Sequence, residues 1–238
     1  MSAAELFFDL PGGGHALFTT RADGNMSSVG GDGAEHGLES RERLREQIGV
    51  RRLLRGYQVH GTTVQRVGED RGAGADSAMD SESQPEIEAD GQATALRGLG
   101  ATVLTADCLP VALGANDVVA MVHAGWRGLA AGVLEEGVRA VQELGGEDEI
   151  VAIIGPGAGL CCYEVGEEVH AAFGGAHRAQ GSHTRNIDLK AIARDKLLAV
   201  GVAEVQDLTM CTICDERFFS YRREGARAGR QGGIAWLS

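Results

Sequence analysis

The stretch 105–128, TADCLPVALGANDVVAMVHAGWRG, decides how this chain is read. It opens with a cysteine in a polar turn, Thr105-Ala106-Asp107-Cys108. Two apolar runs follow, 109–113 and 118–122, and then a histidine, a glycine turn and an arginine, His123-Ala124-Gly125-Trp126-Arg127-Gly128. The runs have strand length and are rich in valine, and Gly114-Ala115-Asn116-Asp117 between them has the composition of a turn. A strand pair joined by so short a turn can bring Cys108 and His123 to one rim of a sheet. That builds a metal or nucleophile site from residues distant in sequence.

Outward from this stretch, 102–105 reads as a short strand leading in. Residues 129–144 read as a helix, because Leu129, Val133, Leu134, Val138, Val141 and Leu144 recur at helical spacing, and Gly145-Gly146 stops it. A buried strand at 150–154 opens into Gly155-Pro156-Gly157-Ala158-Gly159. Beyond lie a short helix at 165–173, a polar loop at 177–185, an amphipathic helix at 188–200 ended by Gly201, and strands at 202–208 and 234–237. Towards the N-terminus, 15–20 reads as a strand and 40–48 as a charged helix, with Ser40 as its N-cap and Gly49 as its stop. Residues 51–67 read as two strands broken at His60-Gly61. The segment 68–89 is rich in Gly, Ser, Asp and Glu and nearly free of large apolar residues. It is expected to be an exposed, flexible acidic loop, not a linker, since core-like segments resume at once beyond it. Strands and helices mix throughout without an internal repeat, which predicts a single α/β or α+β domain over 1–238.

Bulk properties narrow the function. The chain has 238 residues, 43% hydrophobic, and a formal net charge of −12. That charge disfavours nucleic acid or an anionic membrane as the main partner and suits small-molecule work. No apolar stretch approaches the roughly 20 residues of a membrane span, and the start, MSAAELFFDLPGGGHAL, has no basic n-region, so no signal peptide is expected. Five cysteines, an odd and clustered set, do not suit a secreted disulfide framework. A reduced, cytoplasmic protein with some working thiols is the expectation.

A thiolate with two imidazoles is a borderline-soft ligand set for zinc or copper, and three protein ligands leave a fourth position open, as catalytic sites do. Cys108 and His123 are two candidates. His60 is the third by context, since it ends an apolar run and precedes a glycine. The competing reading of each is ordinary packing. Residues 125–128 precede a helix, so free amides beside Arg127 can hold an anion; otherwise the segment is a glycine turn with Trp126 in the core. The loop 155–159 lacks both the Lys-Ser/Thr of a P-loop and GxGxxG spacing. Cys211-x-x-Cys214 can bind metal or act as a redox pair, but a zinc ribbon needs a second such pair, and Cys161-Cys162 on a strand would point to opposite faces, which favours structural thiols. Arg222-Arg223 is an anion contact or a solvated turn.

QVHG at 58–61, TADCLPV at 105–111 and HAGWRGLAAGV at 123–133 resemble the YfiH-like family of laccase-domain purine nucleoside phosphorylases. CCYEVGEEV at 161–169, CT at 211–212, FFSYRR at 218–223 and GR at 229–230 continue the match over nearly the whole chain. The resemblance implies a single α/β-sandwich domain of mixed β-sheets flanked by helices, with a three-ligand zinc site on His60, Cys108 and His123. It further implies phosphorolysis of adenosine, inosine, guanosine and methylthioadenosine, with adenosine deamination. The older polyphenol-oxidase name implies copper, and some bacterial members carry a peptidoglycan-editing role. Leu160 stands where proline is usual, EADGQAT at 88–94 is a loose version of ADALVT, and TTRADGNMS stands for an STRxGG-like motif that would give Arg21 a substrate role.

The leading expectation is therefore a zinc-dependent purine nucleoside phosphorylase with adenosine deaminase activity. Its partners would be purine nucleosides and phosphate, and it would be a monomer or homodimer. Asp107 is the candidate for proton transfer and Arg127 for holding phosphate. One alternative is a copper-dependent polyphenol oxidase, although none of the seven histidines forms the His-x-His pair of a multicopper cluster. Another is a cysteine hydrolase, acting in peptidoglycan precursor editing, in which a histidine activates Cys108.

Overall fold

The computed structural model describes residues 6–68, 87–146, 149–181 and 185–238. Nearly all of the acidic segment 68–89 therefore lies outside the described residues. The central hairpin is as expected: β7 (Leu109–Ala115) pairs antiparallel with β8 (Val118–Ala124) in a register that sets Pro110 opposite His123. It forms the middle of a six-stranded mixed sheet. β9 (Val151–Ile154) and β10 (Glu204–Asp207) extend it on the β7 side, while β5 (Gly91–Thr94) and β4 (Val64–Val67) extend it on the β8 side. The second sheet has five strands. Its order is β1 (Phe7–Leu10), β2 (Gly14–Phe18), β11 (Gln231–Leu237), β6 (Leu99–Thr105) and β3 (Arg52–Leu54).

Alternation along the hairpin explains the layers. Val111, Leu113, Val118, Ala120 and Val122 face a helical layer. It is made of α3 (Val133–Glu143), α4 (Glu167–Ala172) and α5 (Leu189–Ala199), which contribute Val133, Leu134, Val138, Val141, Val169, Ile192 and Leu197. Ala112, Val119 and Met121 face the other sheet and meet Phe18, Val103 and Ala235. The far side of that sheet packs Leu17, Leu53, Ile234 and Trp236 on Leu44 of α1 (Gly37–Ile48). The result is one α/β sandwich domain. Because β8 is buried on both faces it reads as a continuous apolar run. Each buried Val or Leu stabilises the fold by about 1.5–3 kcal/mol, so a one-residue slip, which would exchange the faces of the whole hairpin, is strongly disfavoured.

Several expected elements differ in detail. The helix expected over 129–144 is two helices, α2 (Trp126–Ala131) and α3, because Gly132 adopts φ +101° between them. Helix α1 begins at Gly37, so Ser40 lies in its first turn and is not its N-cap. A Cβ at Gly37 would sit 2.1 Å from the Ser27 carbonyl oxygen, and glycine there lets the helix start a turn earlier. The strand expected up to His60 stops at Leu54. Beyond it Gln58 uses its side-chain amide to pair with both the N–H and the C=O of Leu104, at 2.8 Å each. This frees 59–61 from the sheet. Strands β1 and β5 were not foreseen as strands.

Candidate metal centre

Hairpin register places the first two ligands. His123 shares a face with Val119 and Met121, and Cys108, one residue before β7, continues the face of Pro110 and Ala112. His60 arrives from the loop released by Gln58. The three ligand atoms lie within 4.8 Å of one another. Cys108 Sγ is 3.7 Å from His60 Nε2, and the His60 and His123 rings meet edge to face with centroids 4.8 Å apart. His123 is buried, Cys108 is half-buried and His60 is exposed, so the cluster opens to solvent on the His60 side.

Asp90 organises this cluster, and the sequence reading missed it. Gly91 pairs with Val122, so Asp90 lies beside His123, whose amide donates to the Asp90 carbonyl (2.6 Å). Its fully buried carboxylate accepts the His123 Nδ1–H at 2.7 Å. It also accepts three successive amides, Val59 (3.2 Å), His60 (2.9 Å) and Gly61 (2.7 Å). His60 has φ +61°, a left-handed conformation uncommon outside glycine. That conformation turns the amides of 59–61 onto one anion, as a backbone nest does. Burial alone would raise the Asp90 pKa, but the bonds from His123, Gly61 and Val59 outweigh it and hold the group below the usual carboxylate value. The signal available in the sequence was an aspartate followed by the small residues Gly91 and Ala93, at the edge of the acidic segment that obscured it.

The donor set fits a metal. With Nδ1 of His123 occupied by Asp90, the lone pair of Nε2 faces the cluster, the arrangement that fixes the tautomer of a ligating histidine. Burial resists ionisation of Cys108, yet the positive charge and hydrogen bond of His123, with a further bond from His60, bring the thiol down to about 6. His123 is pushed up to about 9: burial opposes its charge, but Cys108 and Asp90 favour it more strongly. A thiolate and an imidazolium held together are the protonated form of a ligand set that a cation would complete. The site is also shaped at the backbone. A Cβ on Gly125 would lie 2.6 Å from His60 Cδ2 and 3.1 Å from Cys108 Sγ, so only glycine lets α2 start against the ligands.

The cluster forms the floor of a cavity of about 680 Å³, of the size that holds a small organic ligand. Tyr57, Trp126, Tyr163 and Tyr221 line it, together with four arginines, Arg55, Arg127, Arg222 and Arg230. Arg127 is exposed and lies over the Trp126 ring at 4.3 Å. Arg55 is held below the ordinary arginine value by burial, and its Nη1 is buried with no hydrogen-bond partner among the described residues. Of the four arginines, Arg55 carries no signal in the sequence, while Arg222, open from sequence between an anion contact and a solvated turn, lines the cavity.

The remaining expected residues fall as follows. Asp107 lines the cavity, but its Oδ1 accepts from Thr212 Oγ1 and its Oδ2 from the Arg222 amide, both at 2.7 Å. Arg21 does not line the cavity. It donates to the Phe218 carbonyl and Glu224 and stacks over Phe219 at 4.4 Å. Helix α2, at six residues, is too short to carry the macrodipole expected of a long helix beginning beside Arg127.

An α/β sandwich with a His-Cys-His cluster at the floor of an arginine- and aromatic-lined cavity defines a class of candidate metalloenzyme. Residues 12–238 match the model of the family described as multi-copper polyphenol oxidoreductase laccase, and the chain belongs to that family. It is 40% identical over 245 residues to a protein of Xylella fastidiosa named purine nucleoside phosphorylase, covering 95% of this chain and 88% of that one. It is 34% identical to the Shigella flexneri protein named purine nucleoside phosphorylase YfiH, over 96% of each chain. Among solved structures it is similar to Neisseria meningitidis protein NMB0706, with TM-score 0.81 and 31% identity over 98% of this chain and 99% of that one. It is also similar to YlmD from Geobacillus stearothermophilus, with TM-score 0.79 and 31% identity over 94% and 92%. Among the described residues no helix is long and apolar enough to cross a membrane.

Proposed function

We propose that the chain is a zinc-dependent purine nucleoside phosphorylase, acting on adenosine, inosine, guanosine and methylthioadenosine, with adenosine deaminase activity. The observation that carries this reading is the cavity itself. A three-ligand cluster lies under a chamber that offers both aromatic faces and the half-buried Arg55, whose Nη1 has no hydrogen-bond partner among the described residues. A nucleoside brings a flat base, which aromatic side chains can stack, and phosphate brings an anion, which arginine binds as a planar fork. The names carried by the Xylella and Shigella relatives agree with it.

His60, Cys108 and His123 would hold the ion, and zinc there would supply Lewis acidity at its open fourth position, to a water or a phosphate oxygen. Asp90 keeps the proton on Nδ1 of His123, leaving Nε2 free as a ligand. Arg55 and Arg127 bind phosphate, Arg55 from the buried wall and Arg127 from the rim. Tyr57, Tyr163 and Trp126 receive the purine. Asp107 serves the wall by holding Thr212 and the Arg222 amide, and it could move a proton only by releasing one of them. Arg21 supports that wall from behind, through Phe218 and Glu224.

One observation favours a second reading. Asp90, His123 and Cys108 make an orienter, a base and a thiol whose pKa is brought down to about 6, the elements of a cysteine hydrolase. Metal analysis of the purified protein, beside a chelator test of inosine phosphorolysis, separates the two. Zinc bound at the His-Cys-His cluster with chelator-sensitive phosphorolysis supports the phosphorylase. Full amide or ester hydrolysis by metal-free protein, without phosphorolysis, would overturn it.

A further inference from the structure

The four cysteines outside the first cluster also converge. Cys161 and Cys162 lie in a turn after β9 in which the amides of Cys162 and Tyr163 both donate to the Gly159 carbonyl, at 3.0 and 2.9 Å. Cys211 and Cys214 come from the segment between β10 and α6 (Tyr221–Glu224), which is bridged to the first by the pairing of Gly157 with Cys211. All four sulfurs lie within 4.8 Å of one another. The expectation that Cys161 and Cys162 point to opposite faces assumed a strand. In a helical turn, successive side chains are only about 100° apart, and two neighbours can address one point.

The spacing is informative. Cys161 Sγ and Cys214 Sγ are 3.8 Å apart. Four sulfurs placed tetrahedrally at the usual zinc–thiolate distance of about 2.3 Å are separated by about 3.8 Å along each edge. A disulfide would need about 2.05 Å. The backbone also accommodates the group: the Gly159 amide donates to Cys211 Sγ at 3.2 Å, and a Cβ on Gly159 would press on the sulfurs of Cys211 and Cys161 at 3.3 and 3.4 Å. Cys161 and Cys214 are exposed while Cys211 is buried, so an ion can enter from solvent and be closed in by four ligands.

We propose that Cys161, Cys162, Cys211 and Cys214 form a second metal site, a closed tetrathiolate centre for zinc that is structural, not catalytic. A full set of four thiolates leaves no open position for substrate, which is the mark of a structural site, and tetrahedral sulfur selects a thiophilic ion. The ion staples a segment that carries part of the cavity wall to one that braces that wall from behind. On one side Tyr163 follows Cys162 and lies under the Arg222 guanidinium at 4.8 Å. On the other, Thr212 follows Cys211 and bonds Asp107. The second centre therefore sets the wall of the first without touching its ligands.

The test counts metal at each centre separately, under reducing and anaerobic conditions with zinc supplied. The variant His60→Ala/Cys108→Ala/His123→Ala keeps all four cysteines, and it should retain one zinc per chain by native mass spectrometry. Loaded with cobalt(II), it should show thiolate-to-cobalt charge-transfer absorption and the strong d–d bands of a tetrahedral sulfur site. Adding Cys161→Ser/Cys214→Ser should abolish both. A triple variant that binds neither zinc nor cobalt would overturn the proposal, as would a Cys161–Cys214 disulfide in the anaerobically purified wild type. If the serine variants fail to fold, the count and the cobalt spectrum of the triple variant decide alone. Failure here leaves the phosphorylase reading standing, because that reading is judged by whether inosine phosphorolysis is lost with His60, Cys108 and His123.

Discussion

Replacing Asp90 by Asn changes one atom and tests the whole logic of the first centre. Asp90 Oδ1 accepts from His123 Nδ1 and the His60 amide, and Oδ2 accepts from the amides of Val59 and Gly61. An asparagine can keep only one of these oxygens. If its carbonyl stays on Val59 and Gly61, its NH2 faces the other two donors. His123 then has to accept at Nδ1 and carry its proton on Nε2, where the metal lone pair was. Loss of such a supporting contact typically lowers metal affinity 10–100-fold, or about 1.4–2.7 kcal/mol. The stranded His60 amide adds a folding cost of about 1–3 kcal/mol. The assay is zinc competition against a chromophoric chelator, with the first centre read as the difference from the His60→Ala/Cys108→Ala/His123→Ala variant, beside urea unfolding of the metal-free protein. Asp90→Asn should bind zinc at least tenfold more weakly and unfold at lower urea. An affinity within about twofold of wild type in a folded variant would refute the argument that Asp90 sets the tautomer of His123.

Other perturbations reach different parts of the site. Gly125→Ala puts a methyl 2.6 Å from His60 Cδ2, so His60 must move; metal content should fall while thermal stability drops only by the about 1–3 kcal/mol of an overpacked position, and a crystal structure with His60 unmoved would contradict this. Arg127→Ala should raise the KM for phosphate in inosine phosphorolysis with a smaller change in kcat, and unchanged phosphate dependence would remove its assigned role. Arg55→Met should weaken phosphate binding while raising stability, since it removes a desolvated charge whose Nη1 lacks a partner among the described residues; a loss of stability would show that the charge is compensated. Because the folded-state pKa of Asp90 is depressed below 3.8, its contribution to stability is complete above that value and is lost as pH falls through the lower folded-state pKa. The gap in urea stability between metal-free wild type and Asp90→Asn should widen as pH falls from about 9 towards 6.5, where the His123 imidazolium forms opposite Asp90, hold down to about pH 5, and close at more acidic pH. A gap that persists undiminished would show that Asp90 is not the titrating partner.

Much of this was written in the sequence because it depends on local pattern. Two valine-rich runs around Gly114-Ala115-Asn116-Asp117 specify a hairpin, and strand alternation then puts Cys108 and His123 on one face whatever surrounds them. The periodicity of Val133, Leu134, Val138 and Val141 specifies a buried helical face even though Gly132 divides the helix. Tertiary structure alone decided how separate segments meet. Asp90 became the organiser of the ligands only because the β5–β8 register lays it beside His123, while the left-handed His60 turns three amides towards it. Arg55, one arginine of the run RRLLR, was assigned to a buried wall by the packing of its loop. Cys161 and Cys162 could share one focus with Cys211 and Cys214 only because their backbone turns where a strand was assumed. The physical reason is common to these cases: hydrophobic periodicity encodes which face of an element is buried, but convergent polar groups depend on registers and loop conformations set by contacts far apart in the chain.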